Sequence, residues 1–405
     1  MDAGFDAYRS LIDTETRFMC DLVSPGFDLA TYPLEAAMQQ QEALKLLETL
    51  KRHRLYPAFY NVWRNLPKTN DKNWQQFDKD LKQLVEANRI RMIQKTTTLV
   101  QVVEVFEKER IPMIALKGPA MAQMLYGDVG MKASIDLDIL ININDWDKAV
   151  LNLKKIGFIY PETSYELNNR QKKYLFNNFN HIELDRPDIF LLMELHWALH
   201  SNKHIMEISF GELYGQSRII ELANVRVPIL GPLHHALFLM THGALHQWAR
   251  LDWLYDWTMA MLHNSDFQLE FKTRVERLGL EIIKAQSFEL SHLFFGARFD
   301  VSFGQIHANP QNSWFLKKAV NAIGHDYNQK FKPFSRIAYK VYLMRLKQSL
   351  PYKLQVWTKG GTNIKDWEMV KLPERLFFVY FVLRPFLYFI RIVGLKNIKI
   401  RRLKD

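Results

Sequence analysis

Ile135-Asp136-Leu137-Asp138-Ile139-Leu140-Ile141 reads as a β-strand that carries two carboxylates on one face. Successive strand side chains alternate sides, so Asp136 and Asp138 project together while Ile135, Leu137, Ile139 and Ile141 enter a core. Two acids one residue apart on a buried strand repel each other, and a hard divalent cation is the usual compensation. The bland reading is two solvated acids at a sheet edge, and the apolar neighbours argue against it. Upstream, the apolar run Ile111 to Leu116 reads as another strand. It ends in Lys117-Gly118-Pro119 and leads into a helix over Pro119 to Tyr126, with proline at its favoured first turn. Strand, glycine turn, helix and Asp-x-Asp strand form an order suited to phosphate and metal.

On either side of this segment the pattern is helical. Leu44, Leu47, Leu50, Leu55, Phe59, Val62 and Trp63 recur at helical spacing, and a long helix is predicted from Trp74 to about Arg110. Its apolar stripe includes Leu81, Leu84, Ile90, Met92, Leu99, Val103 and Phe106. After the acidic strand, Asp145 is the expected N-cap of a helix over Trp146 to Ile156, and Phe158-Ile159-Tyr160 reads as a short strand. His181 to Leu184 and Ile189 to Leu199 read as paired strands around the turn Asp185-Arg186-Pro187-Asp188. Helices return at His235 to His246 and Leu251 to Leu262, and Lys359 to Asn363 reads as a flexible loop.

The chain has 405 residues, enough for two or three domains. Its 27 Phe, 16 Tyr and 10 Trp need burial, which excludes a mainly disordered chain. The net charge of +11 favours anionic partners without choosing among nucleotide, nucleic acid and acidic membrane. The lone Cys20 excludes an internal disulfide, suits a reducing compartment and has no identifiable catalytic partner. No signal peptide is visible, so a cytoplasmic location is expected. Leu376 to Leu395 resembles a membrane span, but Arg384, Pro385 and Arg391 interrupt it. It reads as a helix packed on the protein or lying on a surface, with loose anionic-lipid contact through the basic tail Lys396 to Lys404 as a further expectation.

Glu194 and His196 share a face of an otherwise apolar strand that starts at Phe190. A carboxylate there needs a partner. Glu194 is therefore a third acid for a two-metal site or a general base. Pairing of Glu194 with Arg186 or Lys203, and a purely structural His196, are the bland alternatives. His242 and His246 lie one turn apart, followed by Trp248, Arg250 and Asp256. Such spacing can bind zinc, yet Gly243-Ala244-Leu245 between them lacks the glutamate of a zinc-protease motif. The functional reading is a helical wall over a nucleotide, with Arg250 or a histidine on phosphate. Helix-packing histidines and an Arg250–Asp256 surface pair are the alternative. No P-loop or dinucleotide glycine motif is present.

Together, Ile114-Ala115-Leu116-Lys117-Gly118-Pro119-Ala120, Leu125-Tyr126-Gly127-Asp128, Asp136-Leu137-Asp138, Glu194-Leu195-His196-Trp197 and His242 to Trp248 with Arg250 and Asp256 resemble the bacterial uncharacterised nucleotidyltransferase family. That family is a branch of the DNA polymerase beta-like superfamily. The closing segment Leu372-Pro373 through Leu383-Arg384-Pro385 is similar too, so the resemblance runs from about residue 40 to about 393. It implies an α+β fold with a mixed-sheet nucleotidyltransferase core over 111–230, a helical region over 1–110 and a helical region with a basic tail over 231–405. It implies that Asp136, Asp138 and Glu194 hold two Mg²⁺ ions, with Mn²⁺ as substitute. Lys117, Gly118, Lys132, Ser134, His196, His242, His246 and Arg250 are the implied nucleotide-binding set. The implied reaction moves a nucleoside monophosphate from an NTP to a hydroxyl or phosphate of a small-molecule, peptide or polymer acceptor. The rival expectation is a non-catalytic nucleotide-binding or membrane-surface protein on the same fold. Two departures bear on phosphate binding: Pro119 removes an N–H donor where the superfamily has a second Gly or a Ser, and Lys132 replaces an arginine that would bind phosphate bidentately.

Overall fold

The acidic run forms an interior strand of a six-stranded mixed sheet in the computed structural model, which describes residues 8–67, 69–159, 167–263, 267–299, 310–324 and 333–402. Its strands are β1 (Met113–Ala115), β2 (Asp136–Ile141), β3 (His181–Arg186), β4 (Leu191–His196), β5 (Arg218–Leu222) and β6 (Val225–Ile229), ordered β3-β4-β2-β1-β6-β5. β2 runs parallel to β4 and antiparallel to β1, while β3–β4 and β5–β6 are antiparallel hairpins. The β2–β4 register sets Asp138 beside Glu194 and Leu140 beside His196. The β3–β4 register sets His181 opposite His196.

Helices α1 (Thr14–Val23), α2 (Leu34–Gln39), α3 (Ala43–His53), α4 (Tyr56–Trp63) and α5 (Lys72–Lys108) precede the sheet. The 37-residue α5 starts where Asp71 accepts the N–H groups of Asn73 and Trp74, and it buries Leu81, Val85, Met92, Leu99, Val102 and Phe106. Within the sheet region lie α6 (Gly118–Tyr126), α7 (Trp146–Lys155), α8 (Asn169–Asn178) and α9 (Phe210–Gly215). Then follow α10 (Pro232–Leu245), α11 (Leu251–Leu262), α12 (Gln268–Leu278), α13 (Glu281–Phe295), α14 (Pro310–Gly324), α15 (Pro333–Leu346), α16 (Leu350–Thr358), α17 (Ile364–Met369) and α18 (Val379–Arg402). One apolar core runs from Ile12 through Leu137 and Ile139 of β2 to Tyr380 of α18. Among the described residues, no helix is long and apolar enough to cross a membrane.

Several local expectations change. Ile135 is exposed rather than in the core, because it precedes the β2 ladder, whose first partner is Asp136 with Leu192. Ile90 and Leu44 also face outward. Asp145 makes no side-chain cap; Asn142 instead caps a short 3₁₀ turn that leads into α7. Ile159 makes only an isolated bridge to Asp185, and Tyr160 lies outside the described residues. The β3–β4 turn falls at 187–190, two residues later than the sequence suggests, and Phe190 is fully exposed there in a left-handed conformation. The β5–β6 hairpin, turned by Ala223 and Asn224 at positive φ, was not among the expected elements. Lys359 to Asn363 ends in an ordered cap, where Asn363 and Asp366 form a capping box and Thr362 is buried.

Gly243 on α10 is required by close approach. A methyl there would overlap the indole of Trp248, a fully buried residue whose backbone N–H donates to the Gly243 carbonyl at 2.8 Å. Gly243→Ala should destabilise the protein by about 1–3 kcal/mol through overpacking, read as a lower denaturant midpoint at unchanged slope.

Two sealed histidines predict acid sensitivity. His53 ends α3 and accepts the Leu251 N–H at 3.3 Å, and His235 sits inside α10. Burial pushes both down to about 3. An unfolded histidine titrates near about 6.5, so below that pH the unfolded chain binds protons that the folded chain refuses. Stability is therefore full above about pH 6.5 and falls as pH drops toward 3, by about 2 kcal/mol per histidine at pH 5. Chemical denaturation at pH 7 and pH 5 measures this. His235→Phe should shrink the loss, and an equal loss in wild type and variant would refute the assignment.

Candidate active site

The two strand registers bring five polar side chains to one face of the sheet: Asp136 and Asp138 from β2, Glu194 and His196 from β4, and His181 from β3. His196 Nε2 lies 3.3 Å from Asp138 Oδ1 and 3.1 Å from Glu194 Oε2. His181 Nδ1 lies 3.7 Å from the same Glu194 oxygen. Burial alone would lower the His196 pKa, but its hydrogen bonds to Asp138 and Glu194 carry it up to about 9. Burial likewise opposes ionisation of Glu194, yet the His196 hydrogen bond leaves its carboxyl below the ordinary value. Burial takes His181 down to about 4. Asp138 is buried, and its Oδ2 has no hydrogen-bond partner among the described residues. Ser134 Oγ donates to the Asp136 backbone carbonyl at 2.6 Å, and buried Lys95 donates to the Ser134 carbonyl.

The facing wall comes from α10 and α11. Lys117 Nζ sits 3.1 Å from His242 Nε2 and 5.2 Å from the centre of the Phe238 ring. The His242 and His246 rings lie 4.7 Å apart and tilted by 51°, both rest on Trp253, and the Arg250 guanidinium lies 4.0 Å over that indole. Burial holds His242 well below its ordinary pKa and takes His246 to about 3, so both rings are neutral at pH 7. Between wall and sheet is a cavity of about 690 Å³, lined among others by Asp136, Asp138, Glu194, Lys117, His242 and Arg250. Gly118, at φ +67°, opens α6 beside it. That left-handed conformation is one that residues with a Cβ adopt only with strain.

The pairings expected for three residues differ. The Lys132 ammonium is buried between Asp252, at 3.0 Å, and Asp256. Two carboxylates one turn apart on a buried helix face demand a cation, and Lys132 supplies it at the cavity wall. Arg250 therefore reaches Asp252, at 3.6 Å, rather than Asp256, which also accepts the Tyr126 hydroxyl at 2.6 Å. Glu194 pairs with histidines, while Arg186 bonds Gln101 and Asp188.

His181, Arg54, Lys95 and Asp252 were missed by sequence reasoning. His181 was legible, since a hairpin turning near Pro187 sets it opposite His196. Arg54 was not. It caps α3 at φ +55° and reaches the cavity with Asp136, Asp252 and Arg250 as charged neighbours. Among the described residues, the one cluster of three or more His, Cys, Asp or Glu spaced to share an ion is His181, Glu194 and His196, so His242 and His246 are not a zinc pair of that kind.

No curated protein matches the chain. Residues 39–296 match a family described as uncharacterised nucleotidyltransferase. The matched span takes in all six strands and runs from α3 through α13, more than half of the molecule. The chain thus belongs to the uncharacterised nucleotidyltransferase family, and it is a nucleotidyltransferase enzyme.

Proposed function

We propose that the sheet is a polymerase beta-like core and that the enzyme moves a nucleoside monophosphate from an NTP to a hydroxyl or phosphate acceptor with release of pyrophosphate. The observation that carries this reading is the unsatisfied, buried Asp138 Oδ2 at the wall of a 690 Å³ cavity, on the same face as Asp136 and Glu194. A buried carboxylate oxygen with no donor is costly unless a ligand supplies positive charge. Three carboxylates are hard oxygen donors and fit Mg²⁺ or Mn²⁺. Asp136, Asp138 and Glu194 would hold these ions, and His181 and His196 flank them. Bound there, the metal would activate the acceptor oxygen and neutralise the leaving pyrophosphate.

The chain's own residues supply the rest. Glu194, held ionised by His196, keeps a full negative charge at neutral pH. Lys117, Arg54 and Arg250 place positive charge around the cavity for phosphate oxygens. The neutral His242 and His246 offer hydrogen bonds without charge, and Trp253 backs both rings and the Arg250 guanidinium. Lys132 acts indirectly, by holding α11 and hence Arg250 and Trp253 in place.

Calorimetric titration with ATP, CTP, GTP and UTP, with and without Mg²⁺, tests the reading alongside a pyrophosphate-release assay. Binding should need Mg²⁺ and be lost in an Asp136→Asn/Asp138→Asn double variant. Equal binding by both proteins, indifferent to Mg²⁺, would defeat it. A nucleotide sensor without turnover is favoured only by Pro119, which lacks an N–H at the first turn of α6; Mg²⁺-dependent binding without pyrophosphate release would establish that sensor.

A further inference from the structure

The C-terminal helix α18 has its polarity turned inside out. Its inward residues are Phe377 just before it, Tyr380, Leu387 and two arginines. Arg384 Nη1 lies 2.5 Å, and Arg391 Nη2 2.9 Å, from the carboxylate of Asp366 on α17, a residue with no exposed surface. Phe377 and the partly exposed Phe381 also pack on Tyr174. The outer face carries Phe378, Val382, Phe386 and Phe389, which are 62%, 68%, 66% and 67% exposed. These positions recur at i, i+4, i+8 and i+11, one continuous stripe. The arginines that break the hydropathy of this segment thus tie the helix to the protein and leave its aromatic residues in water. A helix that buries its charges and exposes its phenylalanines is built for an apolar cover.

Charge says what the cover is. Residues 333–405 hold sixteen Lys and Arg against four Asp and Glu, a net of +12, while the whole chain carries +11. The first 332 residues therefore sum to −1, and essentially all of the positive charge lies in the region that bears the aromatic stripe. A second copy of so basic a region would be repelled. No described helix can span a bilayer. We propose that α18 lies flat on an anionic membrane surface, with Phe378, Val382, Phe386 and Phe389 in the headgroup–acyl boundary and the surrounding lysines and arginines on lipid phosphates. This inference stands independently of the catalytic reading.

Co-sedimentation of the full chain with vesicles of phosphatidylcholine alone, or of phosphatidylcholine mixed with phosphatidylglycerol, tests it. The chain should pellet with the mixed vesicles and not with the neutral ones, and salt should weaken the association. Phe386→Ser/Phe389→Ser should weaken binding at least about tenfold. Both side chains already face water, so thermal unfolding and pyrophosphate release should not change. A chain that stays in the supernatant with both vesicle types overturns the proposal, as does a double variant that binds as well as wild type. A wild-type dimer in sedimentation equilibrium that the double variant dissolves would assign the stripe to self-association instead.

Discussion

Asp138→Asn should lower nucleotidyl transfer by about a thousandfold or more while leaving the fold intact. Asparagine has the same shape, so packing around the buried position is kept. The change removes a negative charge whose second oxygen finds no donor among the described residues. Stability should change little, because Glu194 still pairs with the His196 ring and the amide oxygen can accept from it. The loss should appear in kcat and in Mg²⁺ affinity together, since a ligand to the ion stabilises the transition state as well as the bound nucleotide. Pyrophosphate release at saturating NTP and a Mg²⁺ titration measure the two effects. Transfer within tenfold of wild type, in a variant of unchanged melting temperature, would remove Asp138 from the chemistry.

Lys132→Met should be the most destabilising single change near the site. It leaves Asp252 and Asp256 facing each other in a buried setting with their shared cation gone. Lys132 lowers the Asp252 pKa against the opposing effect of burial, whereas burial and the Asp252 charge keep Asp256 above its ordinary value. Removing one member of such a group typically costs about 3–5 kcal/mol, a large share of the about 5–15 kcal/mol by which a folded domain is stable. Asp256→Asn in the Lys132→Met background should recover part of that loss, since only Asp252 then stays charged and Arg250 stands 3.6 Å from it. Denaturant midpoints of the single and double variants give the coupling. A loss under about 1 kcal/mol for Lys132→Met would mean that water reaches the trio.

The central strands and the long helices were legible because their signals are local. Alternation over Ile135 to Ile141 requires one acidic and one apolar face whatever surrounds it. The capped stripe of α5 and the apolar runs of α10 and α11 are equally self-contained. Elements that failed were those whose fate depends on a neighbour. Ile135 is as apolar as Ile139 but has no strand beside it, and Phe158-Ile159 gains only one bridge. The Arg218 to Ile229 hairpin turns on Ala223 and Asn224, a weak turn signal without glycine.

For the site, the amino-acid order by itself determined which groups share a face: Asp136 with Asp138, Glu194 with His196, His242 with His246. A fixed periodicity of side-chain direction is enough for that. Only the tertiary structure decided which faces meet and what each charge does there. The parallel β2–β4 register sets Asp138 against Glu194, and the packing of α11 pairs Lys132 with Asp252 and Asp256 at the cavity wall. Docking of α18 on Asp366 turns two arginines inward and three phenylalanines outward. Charges in a low-dielectric interior take whichever partner folding brings within a few ångströms, and sequence separation carries no information about that distance.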